Sequence, residues 1–167
     1  MPKKNYLKIT LLSLLAFIFL SACGAITKGI ANGKLTEEKG AIPPDFGKNN
    51  ETLIFITHHR SYNKYLKKNV KKIYKGKYEF VTESEFLEEE KYKDIDNYRF
   101  IFDYNYQSAG YNYGKQRDYL YSVKKFSILD RKTEKLYKSP MTSSYWSKLQ
   151  KVYLKKLNEK IIKEQGS

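Results

Sequence analysis

A continuous apolar run followed by an amphipathic helix constrains the fold of this chain more than any other feature. Residues 52–57 read Thr-Leu-Ile-Phe-Ile-Thr, a pattern typical of a strand buried on both faces. Apolar side chains then recur at helical spacing from Tyr62 to Tyr74, with lysines on the complementary face. A second short strand is predicted at Tyr78–Val81. Because the connection between them is helical, the two strands are predicted to be parallel.

Capping signals predict where the helices begin and end. Ser61 is a suitable N-cap for the first helix, and Gly76 lies where a C-terminal cap residue belongs. Thr82 with Glu85 three residues later has the form of a capping box. A short acidic helix should therefore follow the second strand.

The second half of the domain has the pattern of strands followed by a helix. Aromatic and polar residues alternate over 98–106, which predicts a half-buried strand. A loop is predicted over 107–117 and another strand over 118–129, with a β-bulge at Lys124-Lys125 where the alternation changes phase. Residues 134–137 are predicted to return as a short edge strand. A long final helix is indicated by an apolar stripe: Trp146, Leu149, Tyr153, Leu157 and Ile161.

These elements predict an α/β (α+β) fold with a mixed sheet of about five strands. The expected order is β-α-β-(short α)-β-β-β-α, with the helices packed on the sheet, in one small domain over 51–167. Residues 23–50 have no sustained hydrophobic period and contain Pro43-Pro44, so they are predicted to form a flexible tether. The order is similar to that of the thioredoxin fold and also to that of small α/β domains found in envelope proteins, and element order alone does not choose between them. The chain has a single cysteine, however, which excludes Cys-x-x-Cys redox chemistry and a disulfide framework.

The N-terminus has the three parts of a secretory signal. Lys3, Lys4 and Lys8 precede an apolar run over 9–20, which is shorter than the roughly 20 residues that span a bilayer. The run ends in Leu20-Ser21-Ala22-Cys23, and this tetrapeptide resembles the lipobox of bacterial lipoproteins. The resemblance covers positions 1–24 only, and the globular domain is not assigned to a family.

The lipoprotein resemblance implies processing and an anchor. Residues 1–22 would be removed as a signal peptide, and Cys23 would become the first mature residue, carrying acyl chains that insert into the lipid bilayer. Gly24 in place of Asp implies placement in the outer membrane if the cell has one. The alternative is an ordinary signal peptide followed by a chance cysteine.

The charge of the chain bears on its partners. The formal net charge is +14, which suits an anionic partner such as an envelope polymer or a membrane surface. Only 4 of the 32 basic residues are arginines, and a signal sequence directs the chain out of the cytoplasm, so nucleic acid is not an expected partner. The alternative is that the lysines simply keep the surface soluble.

Two groups of residues are candidates for binding. His58, His59, Arg60 and Ser61 follow a buried strand and precede a helix, a position where α/β sheets bind ligands and where an anion would be held. Adjacent histidines on extended backbone point to opposite sides, so they do not predict a metal site, and a solvated loop is the alternative. Tyr111 and Tyr113, in the predicted loop, suit contact with a protein partner; the alternative is packing at the sheet edge.

No pattern predicts catalysis or a cofactor. The chain has no phosphate-binding loop, dinucleotide fingerprint or Gly-x-Ser-x-Gly elbow. The seven acidic residues between Glu83 and Asp96 lack the spacing of a calcium loop and indicate a solvated face. The sequence therefore favours a membrane-anchored envelope protein that acts as a non-enzymatic interaction module. The alternative is a domain that binds or hydrolyses a small anionic ligand or a glycan at His58–Ser61.

Overall fold

Five strands form one mixed sheet, as the sequence predicts. The computed structural model describes Gly29 and residues 32–111, 119–142 and 146–166, with the backbone alone at 107–111 and 119–122. The strands are β1 (Leu53–Ile56), β2 (Tyr78–Val81), β3 (Phe100–Tyr111), β4 (Tyr119–Asp130) and β5 (Lys135–Lys138). Their order in the sheet is β2-β1-β3-β4-β5. β1 is parallel to β2 and β3, and β4 is antiparallel to β3 and β5.

Helices cover both faces of the sheet. The helices are α1 (Arg60–Ile73), α2 (Glu83–Glu88) and α3 (Trp146–Gln165), with a 3₁₀ helix at Glu90–Lys93. α1 and α3 pack on one face, over a large aromatic core that includes Phe55, Phe102, Phe126 and Tyr153. Side chains from α2, the 3₁₀ helix and Tyr98 pack on the other face, against Ile54, Ile56, Val81 and Ile101. None of the described helices combines the length and apolar character needed to cross a membrane.

The helix caps agree with the sequence in one case and differ in two others. The Thr82–Glu85 capping box is confirmed. Ser61, in contrast, is not the N-cap of α1, because His59 has the extended backbone of a cap and its ring nitrogen accepts the Tyr62 N–H. α1 ends at Ile73 with Tyr74 as its C-cap. Gly76 instead allows a close approach, since a Cβ there would lie 2.6 Å from the Tyr74 hydroxyl oxygen.

The segment before β1 is part of the core. Leu35, Ala41, Ile42 and Phe46 are buried with the side chains of the sheet, α1 and α3. Phe46 packs on Phe100 with ring centroids 5.2 Å apart. The prediction of a flexible tether up to Asn50 is therefore wrong for the segment from Leu35 onwards, and the folded domain begins before Glu51.

Backbone hydrogen bonds hold the same segment in place. The Tyr153 hydroxyl, fully buried on α3, donates to the Ala41 carbonyl oxygen. The Lys138 N–H at the end of β5 donates to the Gly40 carbonyl oxygen over 2.9 Å. These two carbonyl groups are thus paired inside the domain, whereas a solvated tether would leave them to water.

A buried ion pair joins β3, β4 and this segment. Arg99 donates two hydrogen bonds to the Asp130 carboxylate, each 2.8 Å long, and a third to Asp45 over 3.0 Å. The Arg99 and Asp130 side chains are 8% and 3% exposed. Burial opposes ionisation of Asp130, but hydrogen bonds, that from Arg99 foremost, outweigh it and lower the pKa of this carboxyl group. Both groups are therefore charged at neutral pH.

β3 and β4 form a long hairpin without the predicted bulge. Their residues pair one to one from Phe100–Asp130 to Tyr111–Tyr119. The phase change in the sequence arises because Lys124 lies on the aromatic face, where its ammonium group is 5.3 Å from the ring centroid of Tyr104. The predicted loop over 107–117 is also shorter, since β3 continues to Tyr111.

The outer part of this hairpin extends beyond the other strands. β1 pairs with β3 only at Ile101 and Phe102, and β5 pairs with β4 only over 127–130. Residues 106–111 and 119–124, called the ribbon below, pair with each other and with no other strand of the described chain.

Candidate functional site

The carboxyl edge of the sheet brings His58 and Asp103 together. β1 ends at Ile56 and runs parallel to β3, so residues that follow β1 lie beside the middle of β3. The His58 Nε2 atom lies 2.6 Å from the Asp103 Oδ1 atom. The two side chains are 29% and 20% exposed, so the pair is partly shielded but open to solvent.

Neighbouring groups fix the orientation of this pair. The Asn63 side chain accepts from the His58 backbone N–H over 2.8 Å and donates to the His58 carbonyl oxygen over 3.0 Å. The Asp103 carboxylate accepts from the Asn105 side-chain amide over 2.6 Å. His58 is thus held by hydrogen bonds at its backbone N–H and C=O groups and at its Nε2 atom. The His58 Nδ1 atom has no hydrogen-bond partner among the residues described.

Tyr62 forms the floor of the site. Its ring centroid lies 5.4 Å from that of His58, and the ring stacks on Tyr104 at 5.2 Å. Burial, reinforced by the negative charge of Asp103, raises the pKa of Tyr62 well above its usual value. Tyr62 therefore remains a neutral phenol and supplies an aromatic surface under His58.

His59 and Ser61 form a separate unit that caps α1. The His59 Nδ1 atom lies 2.8 Å from the Ser61 hydroxyl oxygen and accepts the Tyr62 N–H over 3.4 Å. The Tyr62 N–H belongs to the first turn of α1, so this bond gives it a side-chain partner that the helix itself cannot supply. His59 therefore caps the helix, and it is exposed to solvent.

Arg60 takes no part in either pair. It is exposed on the first turn of α1 and forms no ion pair with the described residues. The four residues predicted as one site are thus divided: His58 belongs with Asp103, His59 and Ser61 belong to the helix cap, and Arg60 faces solvent.

This division limits the chemistry of the edge. A Ser–His–Asp relay requires one imidazole to contact both the serine and the carboxylate. Here Ser61 contacts His59 and Asp103 contacts His58, so the described residues do not form that relay. Nor do they include a group of three or more His, Cys, Asp or Glu side chains that could hold a metal ion. The arrangement is suited to binding through hydrogen bonds from and to its polar side chains.

Asp103 is the residue that sequence analysis missed. It lies 45 positions from His58, and only the pairing of Phe55 with Phe102 brings the two together. The available signal was its type, since Asp103 is a carboxylate within an aromatic strand. A carboxylate in such a strand marks Asp103 as unusual, but it does not indicate that Asp103 pairs with His58.

The remaining predicted residues fall in different places. Tyr111 ends β3, opposite Tyr119, rather than lying in a loop. Tyr113 and the predicted lipidation residue Cys23 lie outside the described residues. Tyr106, at the base of the ribbon, is 67% exposed, and the Lys124 ammonium group lies 4.7 Å from its ring centroid.

The chain matches no known protein family, no curated protein and no solved structure. Its site is therefore interpreted from geometry and chemistry alone.

Proposed function

We propose that the protein is a lipid-anchored envelope lipoprotein whose α+β domain is a non-enzymatic interaction module. The lipobox at Leu20–Cys23 supports the anchor, and the acyl chains on Cys23 would hold the domain at a bilayer of the cell envelope. The ribbon supports the interaction role, and it is the observation that carries this proposal.

The ribbon has the properties of a contact element. It extends six residue pairs, from Tyr106–Lys124 to Tyr111–Tyr119. The Lys124 carbonyl oxygen accepts from the Thr142 N–H. Elsewhere along the ribbon no other described strand pairs with its outer margins, and backbone groups of this kind can pair with a partner strand. Tyr106 adds an exposed aromatic ring, a side chain that combines apolar area with a polar hydroxyl group.

Loss of Tyr106 and Tyr111 in the ribbon, together with Tyr113, should remove the partner. In cells treated with a crosslinker, we expect the Tyr106→Ser, Tyr111→Ser and Tyr113→Ser triple variant to recover the major co-purifying envelope protein about tenfold less than wild type, because aromatic anchors dominate interface energies. Quantitative mass spectrometry of the detergent-solubilised complex gives the ratio.

Tyr65→Ser provides the matched control. Tyr65 is a tyrosine on α1, 46% exposed and far from the ribbon along the chain. Its replacement should leave recovery unchanged, whereas Cys23→Ala should reduce recovery by releasing the domain from the membrane. Equal recovery with the triple variant would contradict a contact role for the ribbon.

A second candidate function, glycan binding, is favoured by the His58–Asp103 pair. The Asp103 carboxylate opposes a small anion at this edge, but it can accept hydrogen bonds from sugar hydroxyl groups. Asn105 is exposed two residues further along β3, on the same face as Asp103, and its side-chain amide can also form hydrogen bonds with sugar hydroxyl groups. Of the two ligands considered for this edge, a small anion and a glycan, Asp103 therefore favours the glycan.

Asp103→Ala distinguishes the two ligand classes. In NMR titrations that follow the His58 ring, we expect the substitution to weaken binding of an N-acetylglucosamine oligomer about tenfold, since a charged hydrogen bond is lost. Binding of inorganic phosphate should become tighter, because a negative charge is removed. If replacement of Asp103 left the affinity for the oligomer unchanged, glycan binding at the His58–Asp103 pair would be ruled out.

A further inference from the structure

The two faces of the domain carry opposite charge. α1 contains six basic residues and no acidic residue, and α3 contains six lysines and two glutamates. On the other face of the sheet, residues 83–98 contain seven acidic residues and two lysines. The sheet thus separates a basic layer from an acidic layer, which the sequence alone does not reveal.

The outer sides of α1 and α3 form one continuous surface. The helices lie side by side in the same direction, since Asn69 donates to Gln150 over 2.7 Å and Asn158 donates to the Ile73 carbonyl oxygen over 2.5 Å. Their buried residues face the sheet, and the exposed lysines lie on the opposite side. We call this surface the basic face; its exposed residues include Lys64, Lys67, Lys68, Lys71, Lys72, Lys148, Lys151, Lys155 and Lys163.

Acidic residues are few on the two helices that form the basic face, which together contain twelve basic residues and two glutamates. The five lysines of α1 form no ion pair with any residue in the described part of the chain. On α3, Lys156 pairs with Glu159, and Lys160 pairs with Glu37 and Glu164. Ile162 lies among these charges and is 70% exposed. The surface is therefore cationic with an apolar side chain near one end.

We infer that the basic face docks on the anionic lipid headgroups of the bilayer that holds the protein. The inference rests on the proposed lipid anchor and adds the orientation of the domain. Lysine clusters on amphipathic helices are attracted to anionic lipids at short range, and compact ammonium groups suit dispersed headgroup phosphates. The acidic layer on the opposite face is repelled by the same surface, so only one orientation is favoured.

The path of the chain fits this orientation. Glu37 contacts Lys160 on α3 over 2.8 Å, and Leu35 just before it is buried. The segment that leads from Cys23 therefore joins the domain at the border of the basic face.

Lysine footprinting on vesicles tests the inference. The full-length lipidated protein is reconstituted through its own anchor, at equal density, in vesicles of phosphatidylcholine alone or of an equal mixture with phosphatidylglycerol. Lysines are then acetylated for a short time, and each site is quantified by mass spectrometry. We expect the α1 lysines to react about threefold or more slowly on the anionic vesicles. In about 1 M salt, where the Debye length falls to about 3 Å, the difference should disappear.

Two sets of residues make the result specific. Lys132, Lys135 and Lys138 are exposed outside the helical layer and should react equally on both kinds of vesicle. Replacing Lys64, Lys68 and Lys71 with Gln should abolish protection of the remaining basic-face lysines. Replacing Lys132, Lys135 and Lys138 with Gln makes the same change in charge and should leave protection intact.

Each other outcome overturns the inference. Equal reactivity of the α1 lysines on both vesicles would mean that headgroup charge does not orient the domain. Protection by a soluble polyanion in detergent, without protection on vesicles, would assign the face to an envelope polymer instead. The mass of the acyl chains on Cys23 is measured separately on the same sample, and their absence would contradict the proposed anchor.

Discussion

Replacement of Asp130 by Ala should lower the free energy of unfolding by about 3–5 kcal/mol. Arg99 and Asp130 are buried, and two 2.8 Å hydrogen bonds join them. Without the carboxylate, the guanidinium group stays inside the domain with only Asp45, which is itself 44% exposed, to balance it. Urea denaturation followed by circular dichroism measures the change.

A double variant separates charge burial from loss of packing. Asp130→Leu combined with Arg99→Met removes both charges, so much of the lost stability should return. Lys132→Ala is the matched control, because Lys132 pairs with Asp96 over 3.3 Å on the surface, where a pair contributes little. An Asp130→Ala variant as stable as this control would show that the buried pair is not important for stability.

Phe46→Ala should also cost about 3–5 kcal/mol in the free energy of unfolding. Phe46 is 2% exposed and packs on Phe100 inside the main core, although it lies before the first strand. Its removal leaves a cavity that the surrounding aromatic rings can fill only in part. The midpoint of urea denaturation, at unchanged m-value, gives the change in stability.

The control for this prediction is Lys39→Ala in the same segment. Lys39 is exposed, and its replacement should change stability by about 0.5 kcal/mol or less. If Phe46→Ala behaved like Lys39→Ala, the segment would act as a tether and its packing in the core would be contradicted.

The strands and helices of the folded domain follow from local patterns. The continuous apolar run of β1, the alternation in β3 and the apolar stripe of α3 can each be read from a short stretch of sequence. Each predicts the correct element. The segment from Leu35 to Phe46 has no such period, because it forms no regular element. Its burial depends on the shape of the surface formed by α3 and the sheet, and no local pattern encodes that surface.

The site was predictable only in part for a similar reason. The position of His58 at the carboxyl edge follows from the β-α-β order, which is readable along the chain. The pairing with Asp103 depends on the strand order and on the register of β1 against β3. The choice of His59 over Ser61 as the cap depends on which residue adopts the extended backbone, a difference of two positions that composition does not decide.

The packing of Leu35 in the core limits the distance between Cys23 and the folded domain. Leu35 lies twelve residues after Cys23, and a connection of that length reaches at most about 40 Å when fully extended. A domain of this size is itself about 35 Å across. With Cys23 as the anchor, the domain stays within about one diameter of the bilayer. Its partners are then restricted to molecules that approach the bilayer to within the length of the connection plus the width of the domain.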